Sequence, residues 1–147
     1  MGVRPLVGVG AVVISGNCLA LMRRRNVSGN GTWSTPGGYL DYGESPADCA
    51  SREFHEEVGL KVSGFRFLAL TNDVFQEDSK HLITIWMVAP VLEREPLTRL
   101  SEEVDIADWF PLMDLPSPLF PPFARLITGD SIPPIGLEGI AAQGTHA

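Results

Sequence analysis

Apolar residues fall in short runs along the chain, and the residues between the runs are those that end regular structure. Residues 7–14 and 19–24 are aliphatic and separated by Ser15-Gly16-Asn17, which predicts two strands joined by a tight turn. Residues 26–31 (Asn-Val-Ser-Gly-Asn-Gly) predict a flexible loop, and Thr35-Pro36-Gly37-Gly38 breaks any regular element. A helix follows over residues 46–58: Ser45 is a good N-cap, Pro46 suits the first helical position, Asp48 complements the positive helix terminus, and Gly59 is a stop. Residues 65–74 and 81–88 read as two further strands around the polar segment 76–80, residues 107–110 as a short strand, and residues 120–128 as a second helix. Strands and helices in this mixed order predict an α/β (α+β) sandwich. Residues 1–128 form the expected single domain, and the Gly-, Pro- and Ala-rich residues 129–147 are expected to be a loosely attached or disordered tail.

The first helix has two unlike faces. At 100° per residue, Ala47, Ala50, Ser51, Phe54 and Val58 form an apolar stripe that can pack on a sheet, whereas Glu53, Glu56 and Glu57 fall together on the other side. Like charges at these spacings destabilise a helix by a few tenths of a kcal/mol per pair. A hard cation such as Mg²⁺ or Mn²⁺, bound by one or two carboxylates and completed by water and phosphates, would offset the repulsion. The same acids are equally what the solvated face of an amphipathic helix looks like. Gly37-Gly38 just before the helix permits close backbone approach, so that a carbonyl such as that of Gly38 can also reach a metal.

Composition narrows the class. The chain has 147 residues, 44% hydrophobic and 20% charged, which suits one globular domain and excludes a disordered chain. A net charge of -7 makes nucleic-acid polymer an unexpected partner. That charge is unevenly spread: residues 1–37 hold four Arg and no acid, whereas residues 38–60 hold six acids against Arg52 alone. A basic block beside a dense acidic one suits a metal and phosphate site. Cys18 and Cys49 are too few for a disulfide framework and read as inert thiols. No apolar run approaches the roughly 18 residues that span a bilayer. Gly8 and Gly10 interrupt the first apolar run, which argues for a hairpin over a signal peptide, and Gly2 lacks a myristoylation context. A cytoplasmic protein without membrane contact is expected.

Gly38, Glu44, Arg52, Glu53, Glu56, Glu57 and Gly59, with hydrophobic Phe54 and Leu60, match without a gap the pattern G-x5-E-x7-R-E-U-x-E-E-x-G-U. At roughly 7% usage per fixed residue, seven fixed matches arise by chance about once in 10⁸ windows. The chain thereby resembles the Nudix hydrolases, and the order of strands and helices agrees over about residues 6–128. Phe54 is bulkier than the usual aliphatic residue, a departure that bears on packing. The resemblance implies a Nudix-type α/β/α sandwich with a mixed central sheet, and hydrolysis of a nucleoside diphosphate linked to a further group. It implies Mg²⁺, with Mn²⁺ as a substitute, held by Glu53, Glu56, Glu57 and the Gly38 carbonyl, and an ion pair between Glu44 and Arg52. Glu53 and Glu57 are the expected catalytic acids on the helix. Glu103, or its neighbour Glu102, is the other candidate for a general base.

For substrate binding, Arg23, Arg24 and Arg25 close the second strand, and alternation turns Arg24 opposite to the other two. An Arg fork suits phosphate oxygens, and Arg24 is the first choice. Leu40, Phe75, His81, Thr84 and Trp86 are candidates for the walls of a base slot, Phe75 and Trp86 being equally ordinary core residues. His55 and His146 are not placed in catalysis. Residues 32–45 resemble the MutT-type branch, and the extra signatures that ADP-ribose and diadenosine polyphosphate hydrolases tend to carry are missing at Phe75 and Asp78. The reading that follows is hydrolysis of nucleoside (deoxy)triphosphates, oxidised or modified ones among them, to monophosphate and pyrophosphate. The alternatives are an ADP-ribose or nucleotide-sugar pyrophosphatase and a non-catalytic nucleotide-binding sensor. A homodimer is compatible with all three.

Overall fold

The computed structural model describes residues 4–144; Gly2 and His146 lie outside them. Among the described residues, seven strands form one mixed sheet. The first hairpin is as expected, with β1 (Leu6–Ser15) and β2 (Cys18–Arg24) each one residue or more longer than the apolar runs. Its strands pair only at the turn, Ile14 with Leu19 and Ser15 with Cys18, and then splay apart. On its outer edge β1 runs parallel to β6 (Lys80–Pro90), from Leu6 opposite Leu82 to Ile14 opposite Pro90, and β6 is antiparallel to β5 (Arg66–Phe75). The outer edge of β2 is taken by β7 (Val104–Pro111).

Two very short strands fill the wedge between β1 and β2. β3 (Trp33–Ser34) pairs with β2, and β4 (Gly37–Tyr39) pairs with β1. The expectation of no regular element here is corrected by β4: Gly37 lies so close to β1 that a Cβ on it would stand 2.3 Å from the Val9 carbonyl oxygen. Strands of two and three residues leave no alternating pattern to read.

Helices cover both faces of the sheet, as an α/β/α sandwich requires. α1 spans Pro46–Val58, with the Ser45 side chain accepting from the Asp48 N–H and Gly59 closing the helix in the left-handed region. Its buried stripe, Ala50, Phe54 and Val58, meets Val9, Ala11, Val13 and Ala20. The small residues Ala11, Ala20 and Ala89 in the same cluster leave the volume that Phe54 fills. On the opposite face Val12, Ile14, Leu21 and Trp86 pack against Phe123 and Leu126 of α2 (Pro121–Thr128) and Ile140 of α3 (Gly136–Gly144). Burying each such side chain stabilises the fold by about 1.5–3 kcal/mol. Arg125 of α2 is tied to buried Asp73 of β5, Nε to Oδ1 at 2.7 Å.

The segment after Gly129 differs from the loosely attached tail that its composition suggests. α3 is apolar along one side, and Ile140 is fully buried in the core of the second face. Gly and Ala residues there allow close packing rather than disorder, and Arg66 of β5 donates to the Gln143 side chain. Both cysteines are free, and desolvation pushes the buried Cys49 thiol up to about 12, which keeps it protonated. Among the described residues no helix is long and apolar enough to cross a membrane.

Candidate active site

Where β1 and β2 diverge, the wedge strands and α1 leave a cleft of about 480 Å³, within the range of small-molecule sites. Gly8 and Gly10 of β1, Leu82, Thr84 and Trp86 of β6, Met22 and Arg24 of β2, and Phe120 form its walls. Glu53, Glu57 and Glu103 enter from α1 and from the loop before β7. Two cations, Arg24 and Lys80, face four acids there, the fourth being Asp41. A phosphate-bearing ligand would meet a net negative wall unless further positive charge accompanied it.

The loop 37–44 and α1 are joined through one side chain. Arg52 holds Glu44 in a two-pronged pair, Nε to Oε2 at 2.7 Å and Nη2 to Oε1 at 2.9 Å, and its Nη1 donates to Glu53 at 2.7 Å and to Glu56 at 3.3 Å. Asp41 lies within 3.3 Å of the same guanidinium. The repulsion expected among the helix acids is thus offset in part by Arg52 itself. The Arg52 guanidinium holds the Glu44 carboxyl down at about 2. The expected pairing of Glu44 with Arg52 is present in this geometry.

Glu57 is the most buried of the cleft carboxylates, 3% exposed, and its Oε1 accepts from the Gly37 N–H at 2.8 Å. Burial pushes its carboxyl up to about 8; the Gly37 bond opposes this, while Glu53 and Glu103 reinforce it. Burial also raises Glu53, against the pull of Arg52. The Glu53 carboxyl sits against β4, where a Cβ on Gly38 would stand 2.5–2.6 Å from its atoms. A side chain at position 38 would therefore displace Glu53.

These donors fit a hard divalent cation. Among the described residues no group of three or more His, Cys, Asp or Glu side chains stands gathered around one point. Two desolvated carboxylates against the Gly37-Gly38 backbone nevertheless match an ion that takes few protein ligands and keeps water and phosphate as the rest. A positive charge would favour the ionised form of both groups and so offset the cost of their burial.

The raised carboxyl of Glu57 has a consequence for stability without metal. Below about 4.5, its ordinary value, the group is protonated in folded and unfolded chains alike; from there to about 8 the unfolded chain has released the proton and the fold retains it. Stability therefore falls as pH rises through that window, by on the order of a few kcal/mol. We expect the melting temperature in chelator to decline from about pH 5 to pH 8, with Mg²⁺ restoring part of it at the upper end. A Glu57→Gln variant with the same slope would assign the decline to other groups.

The structure gathers Gly38, Glu53, Glu57, Glu103, Arg24 and Thr84 at the cleft and leaves other expected residues outside it. Glu56 is 55% exposed and turned to Arg52. Leu40 packs against the α1 core, and Glu102 is exposed with its carbonyl accepting from Asn26. His81 contacts the Asn72 side chain. It is three positions from Thr84 on β6, so alternation places the two on opposite faces. Arg23 is ion-paired to Asp105, while Arg24 turns into the cleft, as alternation along β2 predicts. Lys80, Tyr39 and Phe120 are cleft residues that the sequence reading missed. Lys80 shares strand parity with Leu82 and Thr84, a signal that could have found it.

A family model described as the NUDIX domain matches residues 4–128. The chain is 33% identical to an NAD-capped RNA hydrolase of Caenorhabditis elegans over 62% of its own length and 24% of that protein's. It is 27% identical to an ADP-ribose pyrophosphatase of Methanocaldococcus jannaschii over 79% of its length and 68% of the relative's. Among solved structures, a MutT NUDIX hydrolase from Burkholderia pseudomallei superposes with a TM-score of 0.76 at 24% identity, covering 82% of this chain and 94% of that one. The chain thus spans about a quarter of the first relative and about two thirds of the second.

Proposed function

The chain belongs to the NUDIX domain family, and from that premise we propose that it hydrolyses the pyrophosphate linkage of a nucleoside diphosphate joined to a further group, with ADP-ribose as the leading substrate. The observation that carries the reading is Glu57, held by the Gly37 N–H at the floor of a cleft that also receives Glu53, Glu103 and Arg24. Mg²⁺, or Mn²⁺ in its place, would be held by Glu53, Glu57 and the Gly38 carbonyl, and when bound would offset phosphate charge and activate water. Arg24 binds phosphate oxygens, Glu103 accepts the proton of the attacking water, and Glu44 with Arg52 keeps Glu53 in place.

ADP-ribose moves ahead of nucleoside triphosphates because of the archaeal relative, which aligns over 79% of this chain. The MutT likeness, at 24% identity, speaks to the fold alone. Triphosphates remain the second reading, favoured by the pair of cleft cations Arg24 and Lys80, which suit a longer anionic tail.

The test is a Mg²⁺ assay across ADP-ribose, sugar nucleotides, normal and oxidised (d)NTPs, and RNA carrying a 5′ NAD group. ADP-ribose should give AMP and ribose 5-phosphate with kcat/KM at least roughly tenfold above the others. Faster release of pyrophosphate from triphosphates would install the second reading. Binding without hydrolysis of any of them would make the chain a nucleotide sensor.

A further inference from the structure

Arg24 differs from three of the other half-buried arginines. Among the described residues, Arg23, Arg52 and Arg125 each stand within ion-pair distance of a carboxylate, and Arg24 does not. Its Nε donates to the Ser28 carbonyl at 2.8 Å, and its Cζ lies 3.9 Å from the centre of the Phe120 ring. Ring face and carbonyl together fix the plane of the guanidinium and leave its terminal nitrogens for a ligand.

The ring is itself held from three directions. Its backbone joins β3, with the Phe120 N–H donating to the Trp33 carbonyl at 2.8 Å and the Trp33 N–H to that of Pro118 at 2.9 Å. Its carbonyl accepts from Ala124 in the first turn of α2. From the loop before β3, Gly29 presses on the ring: a Cβ there would stand 2.5 Å from Cδ1 and 2.6 Å from Cε1, and φ is +77°. The same loop supplies the Ser28 carbonyl, so one loop touches both restraints on Arg24.

We propose that Phe120 is a positioning residue, whose ring, in contact with both Arg24 and Gly29, holds the Arg24 guanidinium toward the phosphate oxygens of the bound nucleotide. The inference rests on the proposed role of Arg24 in substrate binding. Phe120 is also a buried member of the second-face core, at the N-cap of α2, where a polar residue would cap better and the side chain makes no capping bond.

The experiment compares wild type, Phe120→Leu, Phe120→Tyr, Gly29→Ala, Arg24→Ala and the double variant Arg24→Ala/Phe120→Leu by steady-state kinetics on ADP-ribose with Mg²⁺, alongside melting temperatures. A cation held over a desolvated ring predicts a KM raised roughly three- to thirtyfold in Phe120→Leu, with kcat within about twofold of wild type. Phe120→Tyr, which keeps the ring face, should restore KM, and Gly29→Ala, which forces the loop off an intact ring, should reproduce the rise. In the Arg24→Ala background Phe120→Leu should add little, because the two act as one unit. The inference is overturned if Arg24→Ala raises KM and Phe120→Leu does not, or if Phe120→Leu has its full effect without Arg24. An unchanged KM in Arg24→Ala would instead remove the substrate role of Arg24, a separate failure. Should Phe120→Leu not fold, Gly29→Ala with an unchanged KM overturns the inference on its own.

Discussion

Glu57→Gln is expected to lower kcat by at least about 10²-fold, the scale of losing a principal electrostatic stabiliser, and at the same time to stabilise the metal-free protein near pH 8. Both effects come from one arrangement. Glutamine keeps the side-chain oxygen that accepts from the Gly37 N–H, so the local backbone is not disturbed. What it removes is a charge that burial already disfavours, to the extent that the carboxyl rises to about 8. A group that is held against its solvation preference, and that loses the cation-binding charge on a change of one atom, has its use in binding rather than in folding. Turnover of ADP-ribose and the melting temperature in chelator, measured on the same preparation, check the pair of effects. Unchanged turnover with an intact fold would dismiss Glu57 as a ligand.

The second large effect is expected at Gly38. A methyl group there would stand 2.5–2.6 Å from the Glu53 carboxyl atoms, so Gly38→Ala must push Glu53 away or lift β4 from β1. Displacement of about 1 Å in a reacting assembly can lower the rate roughly 10²-fold. Gly38 pairs with Val9 in the middle of the β1–β4 register, which limits how far the strand can yield. The variant should therefore lose kcat more than stability, and Gly38→Ala combined with Glu53→Gln should be little worse than Gly38→Ala alone. Full additivity of the two losses would show that the glycine serves the strand and not the carboxylate.

Much of this site was legible in the sequence because its spacing encodes a helix face. Glu53, Glu56 and Glu57 could be placed together from the period of 3.6 alone, and the ends of α1 from Ser45, Pro46 and Gly59. The helix then emerged over the expected residues. Less legible was what lies beyond the helix. A cation is one way to relieve the repulsion among these acids, yet Arg52, one residue before Glu53, touches Glu44, Glu53 and Glu56. Its reach depends on side-chain length and on the position of the preceding loop, which a list of helix angles does not contain.

His81 and Thr84 were grouped as walls of one slot, although an odd separation along a strand divides them between faces. Phe120 and α3 were hidden for a different reason. Their roles come from contacts made across the fold, with Gly29, Arg24 and the second core, and no local pattern records such contacts. The same holds for β3 and β4, whose partners rather than whose composition make them strands.

The parallel pairing of β1 with β6 has a further consequence in the order of events as the chain folds. Every residue of the acidic motif lies between these two strands in sequence, and the cleft takes walls from both. Closing so long a loop is a slow step compared with forming a helix. On a ribosome, residues 46–58 emerge before β6 has been synthesised, so the cleft lacks one wall until that strand docks. A fragment ending after α1 would carry the full motif and only part of the cleft. The completed cleft is therefore a late product of folding, present only in a chain that has closed its sheet.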